Sequence, residues 1–380
     1  MAPLDGLRVI DLTRVVAGPF CTMMLGDMGA DVLKIEEPEH GDDTRAWGPF
    51  FNGWGSFYLE LNRSKRSVAL DLKSSAGEAA LRRLIETADV LIETFRPGSL
   101  AELGFGYASV SALNPRLIYC SISGYGQTGP CAQLPGYDPV IQGEAGLMDM
   151  TGFPGGEPTR VGVAITDYLA GLYASQGILL ALAERQKSGL GQHVDIALFD
   201  AMLSVMRLPL GVLLATGDAP TRAGNEHLSI APYEPLRAKD GLIIVAVANF
   251  RLWIRFCEAL ERPDLQNDPR FRTNADRVTH RDALKEALET MFKDFTVDEL
   301  TRRLEARQVP CGRVRSMRQA IEHPQVGPRG MLLAQPHATL GTVETLGPVV
   351  KLSRTPAEPK RAPPALGEHT EEVLAGLRKS

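Results

Sequence analysis

One carboxylate stands alone in an apolar stretch of this 380-residue chain. Asp167 is the only charged side chain between Val161 and Ala183, in the run VGVAITDYLAGLYASQGILLALA. An Asp ahead of a long apolar run is a common helix N-cap, because its side chain accepts hydrogen bonds from first-turn amides. A carboxylate is also a nucleophile, and its ordinary pKa of about 4 leaves it ionised at neutral pH without help from a base. The segment alone favours the cap.

Cations flank predicted strands at other places. The turn LNRSKRS at 61–67 includes Lys65, and Arg96 follows a strand that ends at Glu93. Ligands of open α/β sheets collect at strand C-termini, so Lys65 and Arg96 are candidates to bind phosphate, with Phe95 available to stack on a purine. Arg45, in a loop rich in turn formers, could pair with a substrate carboxylate through two hydrogen bonds. The alternative for each cation is a solvated surface charge.

Other motifs narrow the possible chemistry. GYGQTG at 124–129 matches the dinucleotide pattern GxGxxG, which should open a helix and be followed by an acidic ribose ligand. Pro130 and Pro135 follow it instead, which predicts a glycine loop over a substrate channel. We find no Ser-His-Asp elbow, HExxH motif or Walker loop, and the seven histidines form no metal-spaced pair. No metal site is predicted.

Composition limits the partners and the compartment. A net charge of −5 argues against nucleic acid as a partner but permits one small polyanionic ligand. The five cysteines are scattered without a framework of bridges, which is typical of a reducing compartment. The N-terminus lacks a signal core, and the apolar runs are too short to span a bilayer. The chain is therefore predicted to be cytoplasmic, with no membrane partner.

Strands alternate with helices in the first part of the chain, which predicts βαβ units and a mostly parallel sheet. The length favours two domains. Predicted strands cover 7–12, 31–36, 68–72, 90–93, 117–121 and 193–196, and predicted helices cover 20–28, 75–88, 98–103, 167–186 and 199–214. The composition changes near 217–220, so we assign 1–215 to a large domain and 225–325 to a smaller one. The segment 330–380 is rich in proline, favours an extended crossing, and closes with a helix over 368–377.

Taken together, these pieces resemble the class III CoA-transferases, the family that includes formyl-CoA, carnitine and succinyl-CoA–glutarate CoA-transferases. The similar segments run from end to end: DLTRVVAGP (11–19), GADVLKIE (29–36), LNRSKR (61–66), GYGQTGP (124–130), GYD (136–138), TDY (166–168), KSGLGQ (187–192), NDPRF (267–271) and APPALGEH (362–369). The resemblance implies an α/β fold with a Rossmann-like large domain to which 330–380 returns, a smaller α+β domain, and an interlocked homodimer.

The resemblance also implies a reaction. Asp167 would attack a donor acyl-CoA to form an aspartyl anhydride, and CoA thiolate would then convert the anhydride to an aspartyl-CoA thioester. An acceptor carboxylate would reverse these steps. Coenzyme A is then a substrate, and no permanently bound cofactor is expected. The apolar surround of Asp167 would exclude water, and amides of the glycine loop or of the helix start would stabilise oxyanions. On this interpretation Asp167 is both cap and nucleophile.

Binding residues follow from the same resemblance. The implied CoA contacts are Val15, Val16, Asn62, Lys65, Phe95, Arg96, Ser123 and Tyr125. Glu37 and the region of Glu102 depart from the family, because CoA-binding arginines are usual there. The loops around Arg45 and His227 look most like succinyl-CoA–glutarate transferases, which implies succinyl-CoA as donor, a dicarboxylate such as glutarate as acceptor, and these two residues as ligands of its distal carboxylate.

Three alternatives remain. A formyl-CoA:oxalate-type transferase would carry a glycine run after Gly224, and this chain has none. An α-methylacyl-CoA racemase needs a histidine where Tyr137 stands and a glutamate near Asn249, and a tyrosine with a pKa near 10 is a poor base at neutral pH. A non-catalytic acyl-CoA-binding protein is the third alternative, and the presence of Asp167 argues against it.

Overall fold

The computed structural model describes residues 2–379. The strands are β1 Arg8–Leu12, β2 Asp31–Glu36, β3 Phe50–Phe51, β4 Trp54–Gly55, β5 Lys65–Ala69, β6 Val90–Glu93, β7 Ile118–Ser123, β8 His193–Ala197, β9 Tyr233–Ala238, β10 Gly241–Ala246, β11 Cys311–Arg313, β12 Leu332–His337 and β13 Gly341–Leu346. The helices are α1 Ala17–Asp27, α2 Ser56–Leu61, α3 Ser75–Glu86, α4 Ser99–Glu102, α5 Tyr107–Leu113, α6 Asp138–Glu144, α7 Leu147–Met150, α8 Ile165–Ser188, α9 Leu198–Val205, α10 Arg207–Thr216, α11 Phe250–Ala259, α12 Pro263–Asn267, α13 Asn274–Thr279, α14 Arg281–Phe292, α15 Val297–Ala306, α16 Met317–Ile321 and α17 Thr370–Lys379. Two 3₁₀ turns cover Asp43–Ala46 and Pro269–Phe271.

Six strands form one parallel sheet in the order β5-β2-β1-β6-β7-β8. Counted along the chain this is the order 3-2-1-4-5-6 of the doubly wound nucleotide-binding folds. The order reverses between β1 and β6, whose register runs from Val9 opposite Val90 to Leu12 opposite Glu93. Connections leave this point toward opposite faces of the sheet, so a crevice opens beyond the C-terminal ends of β1 and β6. The predicted parallel sheet is confirmed, and its topology marks where a ligand belongs.

Alternate residues of the strands enter two separate cores. Val9 packs in a core with residues of α1, α8 and α9, whereas its neighbour Ile10 packs in a core with residues of α3 and α17. This alternation follows from the two-residue period of a strand, and burial on both faces explains why apolar residues occupy consecutive strand positions such as Val9 and Ile10. Val373 and Leu377 place the C-terminal helix against this sheet.

The chain divides into two compact units. The first combines the residues up to 148 with 160–219 and with those from 324 onward, and the second combines 149–159 with 220–323. The second unit is built on the antiparallel sheet β11-β10-β9, with Trp253, Phe256, Phe292 and Leu300 in its core. The structure groups 149–159 with the second unit, whereas the sequence analysis assigned that segment to the first.

One predicted helix, over 199–214, is two helices. α9 and α10 meet at 67°, with Met206 between them. Pro209 explains the break, because its ring would clash with the carbonyl of Val205 in a continuous helix but is tolerated in the first turn of a new one. Among residues 2–379 no single helix has the length and apolar content of a membrane span, and only α9 and α10 counted together reach them.

Candidate active site

A cavity of about 520 Å³ occupies the crevice beyond β1 and β6. Its walls come from the turns after β1, β6 and β7, the segment 133–137, and the starts of α1, α8 and α9. Six residues that the sequence analysis selected line this one cavity: Val15, Val16, Phe95, Arg96, Ser123 and Asp167. Segments more than 150 positions apart thus supply neighbouring walls.

Asp167 is the third residue of α8 and does not cap it. The helix begins at Ile165 after Ala164, and no side chain of its own segment accepts from its free amides. Asp138 does so from α6, since its Oδ1 accepts from Thr166 N at 3.0 Å and from Thr166 Oγ1 at 2.9 Å. The predicted cap is therefore wrong. A different carboxylate satisfies the helix start, which leaves Asp167 free to face the cavity.

The pKa of Asp167 is raised from 3.8 to about 7, first because the carboxyl is buried and second because Asp138 carries a like charge nearby. Among residues 2–379 no side chain forms an ion pair with it. The expectation of a fully ionised carboxylate with a pKa near 4 is thus wrong. A pKa near 7 means a more basic and poorly solvated nucleophile, of which about half is ionised at neutral pH.

The start of α1 lies against the start of α8. A Cβ added to Gly171 would approach the carbonyl oxygen of Ala17 to 2.6 Å, so only glycine permits this spacing of the helices. Phe20 and Tyr168, one turn away along each helix, meet edge to face with ring centres 5.0 Å apart. α1 has no side-chain cap and no acid in its first turn, so its unsatisfied amides and positive dipole end face the cavity.

The glycine motif is confirmed as a loop, because residues 124–129 follow β7 without opening a helix. A Cβ on Gly124 would lie 2.8 Å from the Cα of Gly136, so two cavity walls touch through glycines. Gly126 N donates to Ser123 Oγ at 3.1 Å, and Gln127 N donates to Asp195 Oδ2 at 3.0 Å. These two amides are used within the loop and are not free to bind an oxyanion. The helix starts are therefore the better source of oxyanion donors.

The turn after β6 presents an aromatic ring and a guanidinium. Phe95 N donates to Glu93 Oε2 at 2.7 Å, which fixes the turn on the last residue of the strand. Arg96 is exposed, and its Nε donates to Gln133 Oε1 at 3.0 Å. A half-buried ring beside an exposed guanidinium suits a nucleotide, because one stacks on a base and the other pairs with phosphate.

Asn62 and Lys65 lie elsewhere. Lys65 begins β5, level with Val32 near the start of β2, and it is not among the cavity residues. Its buried Nζ contacts Asp11 Oδ2 at 3.2 Å, Asn62 Oδ1 at 2.9 Å and the carbonyl oxygen of Pro19 at 3.0 Å. Leaving Asp11 unpaired in the core would be costly. The structure thus gives both residues a structural role in place of the predicted CoA contact.

Arg45 does not line the cavity either. Its Nε and Nη2 bind the two oxygens of Glu36 at 2.8 and 2.7 Å, and its guanidinium lies 3.8 Å from the ring centre of Tyr58. The fork is already used by a carboxylate of its own chain, which corrects the predicted substrate contact. Tyr125 packs against Phe199 with ring centres 5.9 Å apart and is not among the cavity residues.

His227 belongs to the second unit, where its ring meets Tyr233 at 5.1 Å and its Nδ1 accepts from Ser229 N at 3.2 Å. Its role as a substrate ligand stays a prediction. Within the described residues, no group of three or more His, Cys, Asp or Glu side chains is arranged to hold a metal ion.

The sequence analysis missed three residues with clear roles. Asp138 caps α8, and Arg14 and Asp43 line the cavity as an ion pair 3.5 Å apart. Arg14 had a usable signal, because it lies two positions after a buried strand and directly precedes two residues that were selected. The role of Asp138 had no local signal, since the amide that it satisfies, Thr166 N, lies 28 positions away.

Comparisons with known proteins agree with this arrangement. The profile of CoA-transferase family III matches residues 4–370. A succinate–glutarate CoA-transferase from Agrobacterium fabrum is 43% identical over 99% of this chain and 96% of that protein. An acetyl-CoA:oxalate CoA-transferase from Acetobacter aceti is 41% identical over 92% and 89%. The crystal structure of a CAIB/BAIF family protein from Brucella suis superposes with a TM-score of 0.89 and 40% identity over 99% of both chains.

Proposed function

This chain belongs to CoA-transferase family III and is a CoA-transferase, and from that premise we propose that it moves coenzyme A from succinyl-CoA to a dicarboxylic acid such as glutarate. The observation that carries the proposal is the carboxylate of Asp167, which faces a cavity at the switch point of the sheet and has a pKa near 7. The similarity to a succinate–glutarate transferase supports the choice of donor and acceptor.

The first half-reaction forms a bond between the enzyme and the donor. Ionised Asp167 attacks the thioester carbonyl carbon, the carbon–sulfur bond breaks, and CoA leaves as thiolate while a mixed anhydride forms. The thiolate then attacks the aspartyl carbonyl of the anhydride, and the donor acid leaves as its carboxylate. The product is an aspartyl-CoA thioester, so no proton has to be supplied in either step.

The second half-reaction runs the same steps in reverse. The acceptor carboxylate attacks the aspartyl-CoA carbonyl and expels the thiolate, which gives a new mixed anhydride. The thiolate attacks the acceptor carbonyl, the new acyl-CoA forms, and Asp167 is released as carboxylate. The anhydrides are higher in energy than the thioesters, but the overall reaction replaces one CoA thioester with another of similar energy, so transfer is reversible and needs no other energy source.

The surroundings of Asp167 fit these intermediates. A tetrahedral oxyanion forms in the step that makes each anhydride and again in the step that consumes it. The uncapped first turn of α1 offers amides and a positive dipole end to the same cavity. The buried position that raises the pKa of Asp167 also limits the access of water, which would hydrolyse an anhydride. We place the CoA chain along Val15, Val16 and Ser123, with its nucleotide end at Phe95 and Arg96.

An oxalate-type transferase is the second candidate, because a relative named for acetyl-CoA and oxalate is 41% identical. A panel of acceptors assayed with succinyl-CoA separates the two. We expect C4–C6 dicarboxylates to form acyl-CoA products at least tenfold faster than monocarboxylates or oxalate. A site that binds the distal carboxylate loses this polar contact with a monocarboxylate, and oxalate is too short to reach it, and such a loss is worth at least a factor of this order. Liquid chromatography of the CoA esters measures the products. A preference for oxalate or for monocarboxylates would contradict the dicarboxylate assignment.

We also propose the interlocked homodimer that the resemblance implies. The support is an apolar surface on α8 and α10: Leu180, Leu208 and Leu214 are each more than 60% exposed, and α10 has no buried residue. Patches of this kind usually mark an interface. Light scattering after gel filtration should give twice the 41.3 kDa of the chain, and a monomer at micromolar concentration would contradict the proposal.

A further inference from the structure

Four ionisable side chains line the cavity, two of them cations and two of them acids: Arg14, Arg96, Asp43 and Asp167. Coenzyme A carries its negative charge on a pyrophosphate and a 3′-phosphate, far from the thioester. Lys65, which the sequence suggested for these groups, is bound to Asp11 inside the fold. A phosphate-binding cation is therefore needed beside Arg96, and Arg14 is the other cation on the cavity wall.

Arg14 holds its present partner weakly. Its Nη1 lies 3.5 Å from Asp43 Oδ2, and the two side chains are 56% and 49% exposed. Solvent screens such a pair, so little is lost when it opens. The neighbouring acid behaves differently, because Asp42 is fully buried and bound to Lys34 at 2.8 Å. Asp42 is therefore fixed in the core by its ion pair, whereas Asp43 forms a weak, exposed pair from which Arg14 can move to another partner.

Arg14 is placed beside Arg96 by the backbone. Arg14 N donates to Thr94 Oγ1 at 3.1 Å, and Thr94 begins the turn that carries Arg96. Both guanidinium groups are on exposed residues, whereas Asp167 is largely buried from solvent. The two cations thus stand at the outer part of the cavity, where the phosphates of a CoA thioester would lie when its carbonyl reaches Asp167. The acceptor carboxylate reacts at Asp167, so it binds at the inner part of the cavity and not beside the two arginines.

We propose that Arg14 exchanges Asp43 for a phosphate group of coenzyme A when an acyl-CoA binds, so that the Arg14–Asp43 pair closes the outer part of the empty cavity and opens for the substrate. This inference rests on the proposed function, because it assumes a CoA thioester in this cavity. Arg14 binds phosphate more strongly than it binds Asp43, since a guanidinium fork fits phosphate oxygens and the ligand brings more than one negative charge. Asp43 acts against the ligand by repelling it and by competing for Arg14.

Calorimetric titration of the full-length protein with CoA tests the exchange without requiring turnover. Arg14→Gln should weaken CoA binding by roughly tenfold or more, the effect of losing one charge-assisted contact. Asp43→Asn should have the opposite sign and tighten binding severalfold, because it frees Arg14. Arg8→Gln is the matched control: Arg8 lies at the other end of β1 in a similarly exposed pair with Asp31, at 3.7 Å, and its loss should leave CoA binding within twofold.

Titration with 3′-dephospho-CoA identifies the phosphate. If Arg14 binds the 3′-phosphate, the preference of Arg14→Gln for CoA over 3′-dephospho-CoA will be smaller than that of the wild type; if it binds the pyrophosphate, the variant will lose affinity for both ligands by the same factor. Either result supports the exchange. If wild-type protein binds CoA and both Arg14→Gln and Asp43→Asn bind it equally well, the exchange is wrong and the transferase proposal stands. If wild-type protein binds no CoA or acyl-CoA, the proposed function itself fails.

Discussion

Asp167→Asn is expected to reduce CoA transfer by at least about a thousandfold, as the loss of a covalent nucleophile does in other enzymes. The substitution keeps the shape of the side chain and removes only the attacking oxygen charge, so binding of CoA should change little. Wild-type protein incubated with succinyl-CoA should show an adduct on Asp167 by peptide mass spectrometry, as an anhydride or a CoA thioester. The variant should show none. Full transfer activity in the variant, without adduct in the wild type, would contradict the covalent mechanism.

The stability of the same variant provides the control for folding. The folded-state pKa of Asp167 is above its ordinary value, so the folded protein binds the extra proton and its stability falls as pH rises from about 4 to 7. Above this window the buried charge costs up to about 4 kcal/mol, because each pKa unit is worth about 1.4 kcal/mol. Asp167→Asn should therefore unfold at a higher urea concentration than wild type at pH 8 and at an equal concentration at pH 3.5. A destabilised variant at pH 8 would argue against a buried, unpaired carboxylate.

The sequence predicted the large sheet well because its signals are local. The parallel strands β2 and β6 have the predicted bounds, since short β-branched runs between helices have few alternatives. The strand order was beyond local reasoning, as it depends on which strands pair across the sheet. It is this order that brings the turn after β1 beside the turn after β6 and opens the crevice between them.

The errors at the site come from pairing between distant charges. Lys65 was predicted to bind a CoA phosphate from a turn ahead of a strand, whereas β5 begins at Lys65 itself and its side chain enters the core. Nothing in the segment 61–67 reveals that the side chain of Lys65 pairs with Asp11 inside the fold. Arg45 is similar, because its Nε and Nη2 donate to Glu36 and its Nη1 donates to the carbonyl oxygen of Pro364. Composition shows that a charge exists, and only the fold shows whether it is still free to bind a ligand.

The activity of the enzyme should depend on pH with a midpoint near 7. The profile of kcat/KM for the acyl-CoA reports the ionisation of the free enzyme, and only the ionised form of Asp167 attacks. The activity should rise with pH through the pKa of about 7 and fall by about tenfold for each unit below it, to roughly 1% at pH 5. Initial rates at saturating acceptor in buffers of constant ionic strength measure the profile. A profile that is flat from pH 5 to 8 would mean that Asp167 is ionised throughout and that its burial is relieved in the working enzyme.

Asp138→Asn separates the two causes of that raised pKa. Asparagine still accepts from Thr166 N, so the start of α8 stays capped, but the like charge beside Asp167 is gone. The midpoint should move to lower pH and stop above 3.8, because burial, the larger cause, is unchanged. Asp138→Ala removes cap and charge together and should also lower kcat at pH 8, where Asp167 is ionised in every variant. An equal shift of the midpoint in both variants would show that the charge of Asp138 raises the pKa of Asp167. A lower kcat at pH 8 in the alanine variant alone would show that Asp138 also holds the start of α8 in place. An unchanged midpoint in the asparagine variant would mean that burial alone raises the pKa.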